Sequence, residues 1–174
     1  MKKLIVVVAL YTICHAAWSQ QDSLSITRAL DGQVWIPFLK GVMHNDARLY
    51  NGINSPDFFW VMDGNRRLIM DHAAHVKDAA KVMQQRKDQG IKTRMEVRFT
   101  ERNVTAEFAS EQLIIATILV YANGDTKTDY SRAHVFSRLE SGKWKRWINY
   151  YEGASTPDAF AAATAIHGWN ASEN

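Results

Sequence analysis

Between Ser25 and His44 the apolar residues Trp35, Phe38, Leu39 and Val42 recur at i, i+3, i+4 and i+7, one broad stripe of an amphipathic helix. Pro37 and the Asp31-Gly32 pair interrupt it. The helix therefore either kinks there or begins its regular part near Trp35, because an interior proline forfeits a hydrogen bond and collides with the preceding turn. Asn45-Asp46 reads as the N-cap and first turn of a short helix through Tyr50, closed by Asn51-Gly52. Ser55-Pro56-Asp57 has turn chemistry, Phe58 to Met62 reads as a strand, and Asp63-Gly64-Asn65 ends it. A brief strand follows over Arg67 to Met70. Asp71 can then cap a helix to Gln89, with Ala73, Val76, Ala80 and Met83 along one side and Gly90 as its stop.

The remainder changes period from 3.6 to 2. Four runs, Thr93 to Arg102, Thr105 to Tyr121, Lys127 to Leu139 and Lys143 to Tyr151, are separated by turn signals at Asn103, Asn123-Gly124-Asp125 and Ser141-Gly142. This predicts an antiparallel meander. Met95, Val97 and Phe99 give the first run one apolar face, whereas Leu113 to Tyr121 is apolar on both faces apart from Thr117. Such a strand needs two covers: helices on one side, and a partner molecule or the C-terminal segment on the other. A second copy of the chain docked on the outer sheet face is the expected partner. In Ser131 to Arg138 the bulkier set Arg132, His134, Phe136 and Arg138 shares one face, which looks either into a cavity or at water. Trp144 and Trp147 have opposite parity, so one points inward and the other outward. An alanine-rich piece, Pro157 to Ile166, predicts a last helix with proline at its first position.

Composition narrows the setting. Lys2 and Lys3, the apolar run Leu4 to Leu10, and Ala17 and Ser19 before Gln20 read as a secretory signal over residues 1–19. That leaves one domain over 20–174, exported to a periplasm or the outside. Cys14 is the one cysteine of the sequence, so the mature chain would lack disulfides, thiolate metal sites and cysteine nucleophiles. Removing Lys2 and Lys3 takes Lys+Arg from 21 to 19 against 18 acids, so the net charge falls from +3 to +1. That balance gives no basis for a nucleic-acid or membrane-surface partner. The 47% hydrophobic content suffices for one core. Sequons at Asn103 and Asn170 would matter only in a glycosylating host.

Two or three helices followed by a curled antiparallel meander make an α+β arrangement in which the sheet wraps the first helix. The segments "VWIPFLKGVMHNDARLY", "SPDFFWV", "DYSRAHVF" and "SGKWKRWINYY" together resemble a nuclear transport factor 2-like domain over about residues 34–152. This cone-shaped, cystatin-like fold is shared by steroid isomerases, polyketide cyclases, scytalone dehydratase and many binding modules. The resemblance implies a ligand pocket between sheet and helices lined by Trp35, Leu39, Trp60, Arg132 and Tyr150. It further implies that Asp63 lies near the general-base position of the steroid isomerases and His134 near their protonated acid. The tyrosine those enzymes carry on the first helix is missing here, where Phe38 and Leu39 stand, so the catalytic set is incomplete.

Each candidate also has a plain structural role. Asp63 beside Gly64 is ordinary turn chemistry, and His134 suits either a pocket acid or base or a half-buried structural histidine. Arg132 would hold a ligand carboxylate or pair with Glu96 or Glu101. His72 and His75 are three apart on a helix, whereas helical zinc sites place histidines at i and i+4, so a capped, solvated edge is expected there and no metal. No cofactor is expected either. The resulting expectation is an exported domain binding a small apolar molecule. Its alternatives are a cofactor-independent isomerase, dehydratase or cyclase using Asp63 or His134, and a protein assembly module.

Overall fold

The computed structural model describes residues 24–63, 67–166 and 169. The signal-like residues 1–19 and the Asn170 sequon lie outside the described residues. Residues 24–30 are helical and run through a π-helical turn, Asp31–Trp35, into α1, Ile36–Met43. Pro37 sits in the first turn of α1. The wider turn before it absorbs the hydrogen bond and the space that proline denies a regular helix, so the disturbance expected at Asp31-Gly32 and Pro37 is a π turn. α2 is Ala47–Gly52, capped by Asp46 whose carboxylate accepts from the Leu49 N–H at 3.0 Å. α3 is His72–Asp88, capped by Asp71 through the Ala74 N–H at 2.8 Å.

The strands are β1, Asn54–Met62; β2, Leu68–Asp71; β3, Lys92–Val104; β4, Phe108–Val120; β5, Thr126–Glu140; β6, Lys143–Ala154; and β7, Thr164–Ala165. They form one seven-stranded sheet in the order β2-β1-β6-β5-β4-β3-β7. The hairpin-linked strands β3 to β6 are antiparallel, as their turn signals dictate. β1 joins β6 in parallel, which makes the sheet mixed. Pairing along β5 and β6 skips Trp147 and Glu152, two bulges that bend β6.

The concave face packs on the first helix. Leu30, Val34, Trp35, Leu39, Val97, Leu113, Ala133, Val135 and Trp144 belong to one buried cluster. On β5 the inward set is therefore Ala133, Val135 and Ser137, and the bulky set Arg132, His134, Phe136 and Arg138 faces the convex side. The large helix side chains leave room only for small strand residues beneath them. Trp144 is buried, whereas Trp147 lies under Arg138 on the convex face, with the guanidinium 5.0 Å from its ring.

The convex face of β4 gains its cover from the C-terminal segment. The short helix α4, Pro157–Ala162, places Phe160 on Ile114 and Ala116, and β7 then pairs with Arg98 and Phe99 of β3. The last helix is thus shorter than expected.

Candidate functional site

The expected site residues do not come together. Asp63 is exposed at the end of β1 and accepts a 2.9 Å hydrogen bond from the Tyr150 hydroxyl. Tyr150 pairs with His134 across β6 and β5, on the convex face. His134 bonds to Ser110 Oγ at 2.8 Å and stacks on Phe136 with ring centroids 4.3 Å apart. Arg132 is exposed, and neither Glu96 nor Glu101 pairs with it. Glu96 is held by Arg98 at 2.8 Å, and Glu101 accepts from Asn103 and Gln112. Asp63, His134, Arg132 and Tyr150 therefore lie away from the interior of the cone, because β5 and β6 turn their small or bulge-shifted positions inward. Trp35 and Leu39 are 1% and 0% exposed, sealed into the core. Trp60, of the expected set, lines a cavity.

That cavity, of about 190 Å³, opens between α1, α2, α3, β1 and β3. Phe38, Tyr50, Trp60 and His75 give it aromatic walls, Ala79 and Met83 continue its floor along α3, and Asp78, Val82 and Arg86 form its rim. His75 is the centre of the arrangement. Its ring lies 5.6 Å from Tyr50, 4.9 Å from Phe58 and 5.2 Å from Trp60. It is 2% exposed, and neither ring nitrogen has a hydrogen-bond partner. Burial foremost, then the positive charge of Arg146 and the neighbouring His72, lower its pKa to about 3, so the imidazole is neutral.

Behind His75 lies Arg146, 1% exposed and stacked against three rings, with its guanidinium 4.9 Å from Phe38 and 5.4 Å from both Tyr50 and Phe58. Its Nε donates to Asn54 Oδ1 at 2.9 Å, and Nη2 is unpartnered. Among the described residues no carboxylate pairs with it. Burial lowers its pKa. Arg86, at the rim, is half-buried with its pKa also lowered by burial; it reaches Thr93 Oγ1 at 3.5 Å and has no ion pair among the described residues. A buried cation, a second cation at the mouth and a neutral imidazole with spare hydrogen-bonding capacity suit a ligand bearing oxygen acceptors.

The buried face of α3 comprises His75, Ala79 and Met83 rather than Ala73, Val76, Ala80 and Met83. Choosing the helix face by apolarity alone hid His75, whose spacing to Ala79 and Met83 at i+4 and i+8 was the available signal. Among the described residues no group of His, Cys, Asp or Glu side chains is placed to hold a metal ion.

A second buried polar group sits at the other end of the first helix. Arg102 bonds Asp31 at 2.6 Å and Glu111 at 2.8 Å, and Trp35 Nε1 donates to Glu111 at 2.9 Å. Burial raises the pKa of Glu111 to about 7, against the opposing pull of Arg102 and the Trp35 bond. Its effect is to lock the π turn to β3 and β4.

A candidate scytalone dehydratase from Novosphingobium aromaticivorans superposes with a TM-score of 0.64 at 15% identity, covering 86% of this chain and 99% of its own. A nuclear transport factor 2-like protein with a cystatin-like fold from the same organism matches at 0.58 and 12% identity, over 93% and 94%. An uncharacterised cystatin-like protein from Caulobacter vibrioides matches at 0.55 and 16%, over 78% and 93%. No family model and no curated protein matches the sequence. The chain has the nuclear transport factor 2-like, cystatin-like cone fold.

Proposed function

We propose that this chain is an exported small-molecule-binding domain whose ligand enters the cavity over His75. The observation that carries the reading is a buried imidazole with both nitrogens unpartnered, facing about 190 Å³ of aromatic-walled space. Buried polar atoms are ordinarily satisfied, and a pocket ligand is what would satisfy these. An apolar cavity of about 150 Å³ is enough for benzene, so the space suits a one-ring molecule.

Binding is favoured over catalysis because the acid and base that the resemblance implied, Asp63 and His134, lie outside the cavity. The histidine that is inside, with a pKa of about 3, is too weak a base for proton abstraction near neutral pH. p-Cresol, a neutral single-ring probe, is expected to raise the melting temperature of the full chain and perturb tryptophan emission through Trp60. Val82→Trp, which lays a large ring across the mouth, abolishes both effects; unchanged effects in that variant reject the site.

The export part rests on the Lys2, Lys3 and Leu4 to Leu10 pattern, and the mature protein is expected to begin at Gln20 on N-terminal sequencing. Self-association through the convex face is supported by a continuous strip of Phe59, Ile148, Phe136 and Phe108 across β1, β6, β5 and β4, with Phe59 43% and Phe108 38% exposed.

A further inference from the structure

The polarity of the cavity is not uniform. His75 at the base is neutral and keeps one N–H donor and one nitrogen acceptor unused. On the rim, Asp78 and Arg86 occupy the same helix eight residues apart, on the order of 12 Å along its axis. The rim is therefore negative toward the N-terminal end of α3 and positive toward its C-terminal end. Asp78 is exposed and solvated, whereas Arg86 is half-buried, and neither has an ion-pair partner among the described residues. Burying a cation without a counter-ion is unfavourable, and a carboxylate brought by the ligand offsets that cost through a two-pronged hydrogen bond to the guanidinium.

Resting on the binding-domain reading above, we propose that the ligand is an aromatic monocarboxylate with a neutral polar group across the ring. Its carboxylate lies against Arg86 at the mouth, and its hydroxyl or carbonyl meets His75 at the base. The ring lies between Trp60, Tyr50 and Phe38. A ring carrying para substituents, with a hydrogen bond of about 2.8 Å at each end, spans roughly 10 Å. His75 and Arg86 stand eleven residues apart on α3, on the order of 16 Å of axial rise, and the long Arg86 side chain, leaning toward the N-terminal end of the helix, bridges the remainder. Asp78 repels a carboxylate placed at the other end of the rim, which fixes the orientation.

Calorimetric titration of the full chain with 4-hydroxybenzoate, benzoate and p-cresol tests this. A charge-assisted hydrogen bond contributes enough for a preference of about tenfold or more, so 4-hydroxybenzoate binds at least that much more tightly than p-cresol. Arg86→Met brings the ratio of the 4-hydroxybenzoate and p-cresol affinities to about one, and Arg86→Lys restores part of the preference. His75→Phe, similar in shape, erases the preference of 4-hydroxybenzoate over benzoate; His75→Gln, which retains a donor and an acceptor, keeps some of it should the phenylalanine variant fold poorly. Equal affinity for p-cresol and 4-hydroxybenzoate, or an unchanged preference in Arg86→Met, overturns the carboxylate assignment and leaves the pocket reading standing. Absence of binding by all three compounds overturns both.

Discussion

At the scale of single residues, two buried groups titrate in opposite senses. His75, flanked by Tyr50 of α2, Arg146 of β6, and His72 and Asp78 of its own helix, has a folded pKa of about 3 against 6.5 when free. Between those values the unfolded chain binds the extra proton, so this contribution to stability is complete above pH 6.5 and declines as the pH falls toward 3. Glu111 has a folded pKa of about 7 against 4.5, so its contribution is complete below pH 4.5 and declines as the pH rises to 7. Urea midpoints measured across this range should show a weaker acid decline for His75→Gln than for the wild type. Glu111→Gln should lose the decline toward neutrality. Arg102→Met leaves Asp31 and Glu111 buried together without their cation, and is expected to lower stability by about 3–5 kcal/mol in denaturant titration at pH 7. His75 was in view in the sequence, but as half of a weak metal pattern. Its spacing to Ala79 and Met83 marked one candidate face, but which α3 face turns inward is set by β1 and α2, which pack against it.

At the scale of elements, capping and hairpin chemistry were legible because they are local. Asp71 caps the helix it was expected to cap, the Asn45-Asp46 pair starts α2 with Asp46 as its cap, and the turns linking β3 to β6 lie at or within a few residues of their signals. The inward face of β5 was not legible, since alternation defines two faces without saying which one meets the helices. The Trp147 and Glu152 bulges also shift the parity of β6 beyond any regular count. Close approach between elements gives a sharp test. A Cβ at Gly41 would stand 2.7 Å from the Tyr50 backbone nitrogen, so Gly41→Ala must push α1 and α2 apart. The expected cost is about 1–3 kcal/mol in thermal or denaturant unfolding, accompanied by weaker binding of p-cresol as Tyr50 leaves the cavity wall. Phe160→Ala uncovers Ile114 and Ala116 and should cost about 3 kcal/mol, with increased dye binding to the convex face.

At the scale of the whole molecule, the α+β cone was readable from the order of elements, a few helices and then a meander. The parallel junction of β1 with β6 was not, because it joins segments some ninety residues apart and leaves no turn signal. The second cover demanded by β4 proved to come from α4 at its middle, and the strip from Phe59 to Phe108 stays partly exposed on the same convex face. If two copies meet there, light scattering at micromolar concentration gives the dimer mass, and Phe59→Glu with Phe108→Glu gives the monomer with the p-cresol response intact.

The three rim residues Asp78, Val82 and Arg86 project from one row of α3, while the buried row beside them and the sheet hold the molecule together. Taste for a guest and firmness of the frame are thus written on separate rows. A lineage or a designer could exchange the doorway residues one at a time and redirect what enters without retooling the walls.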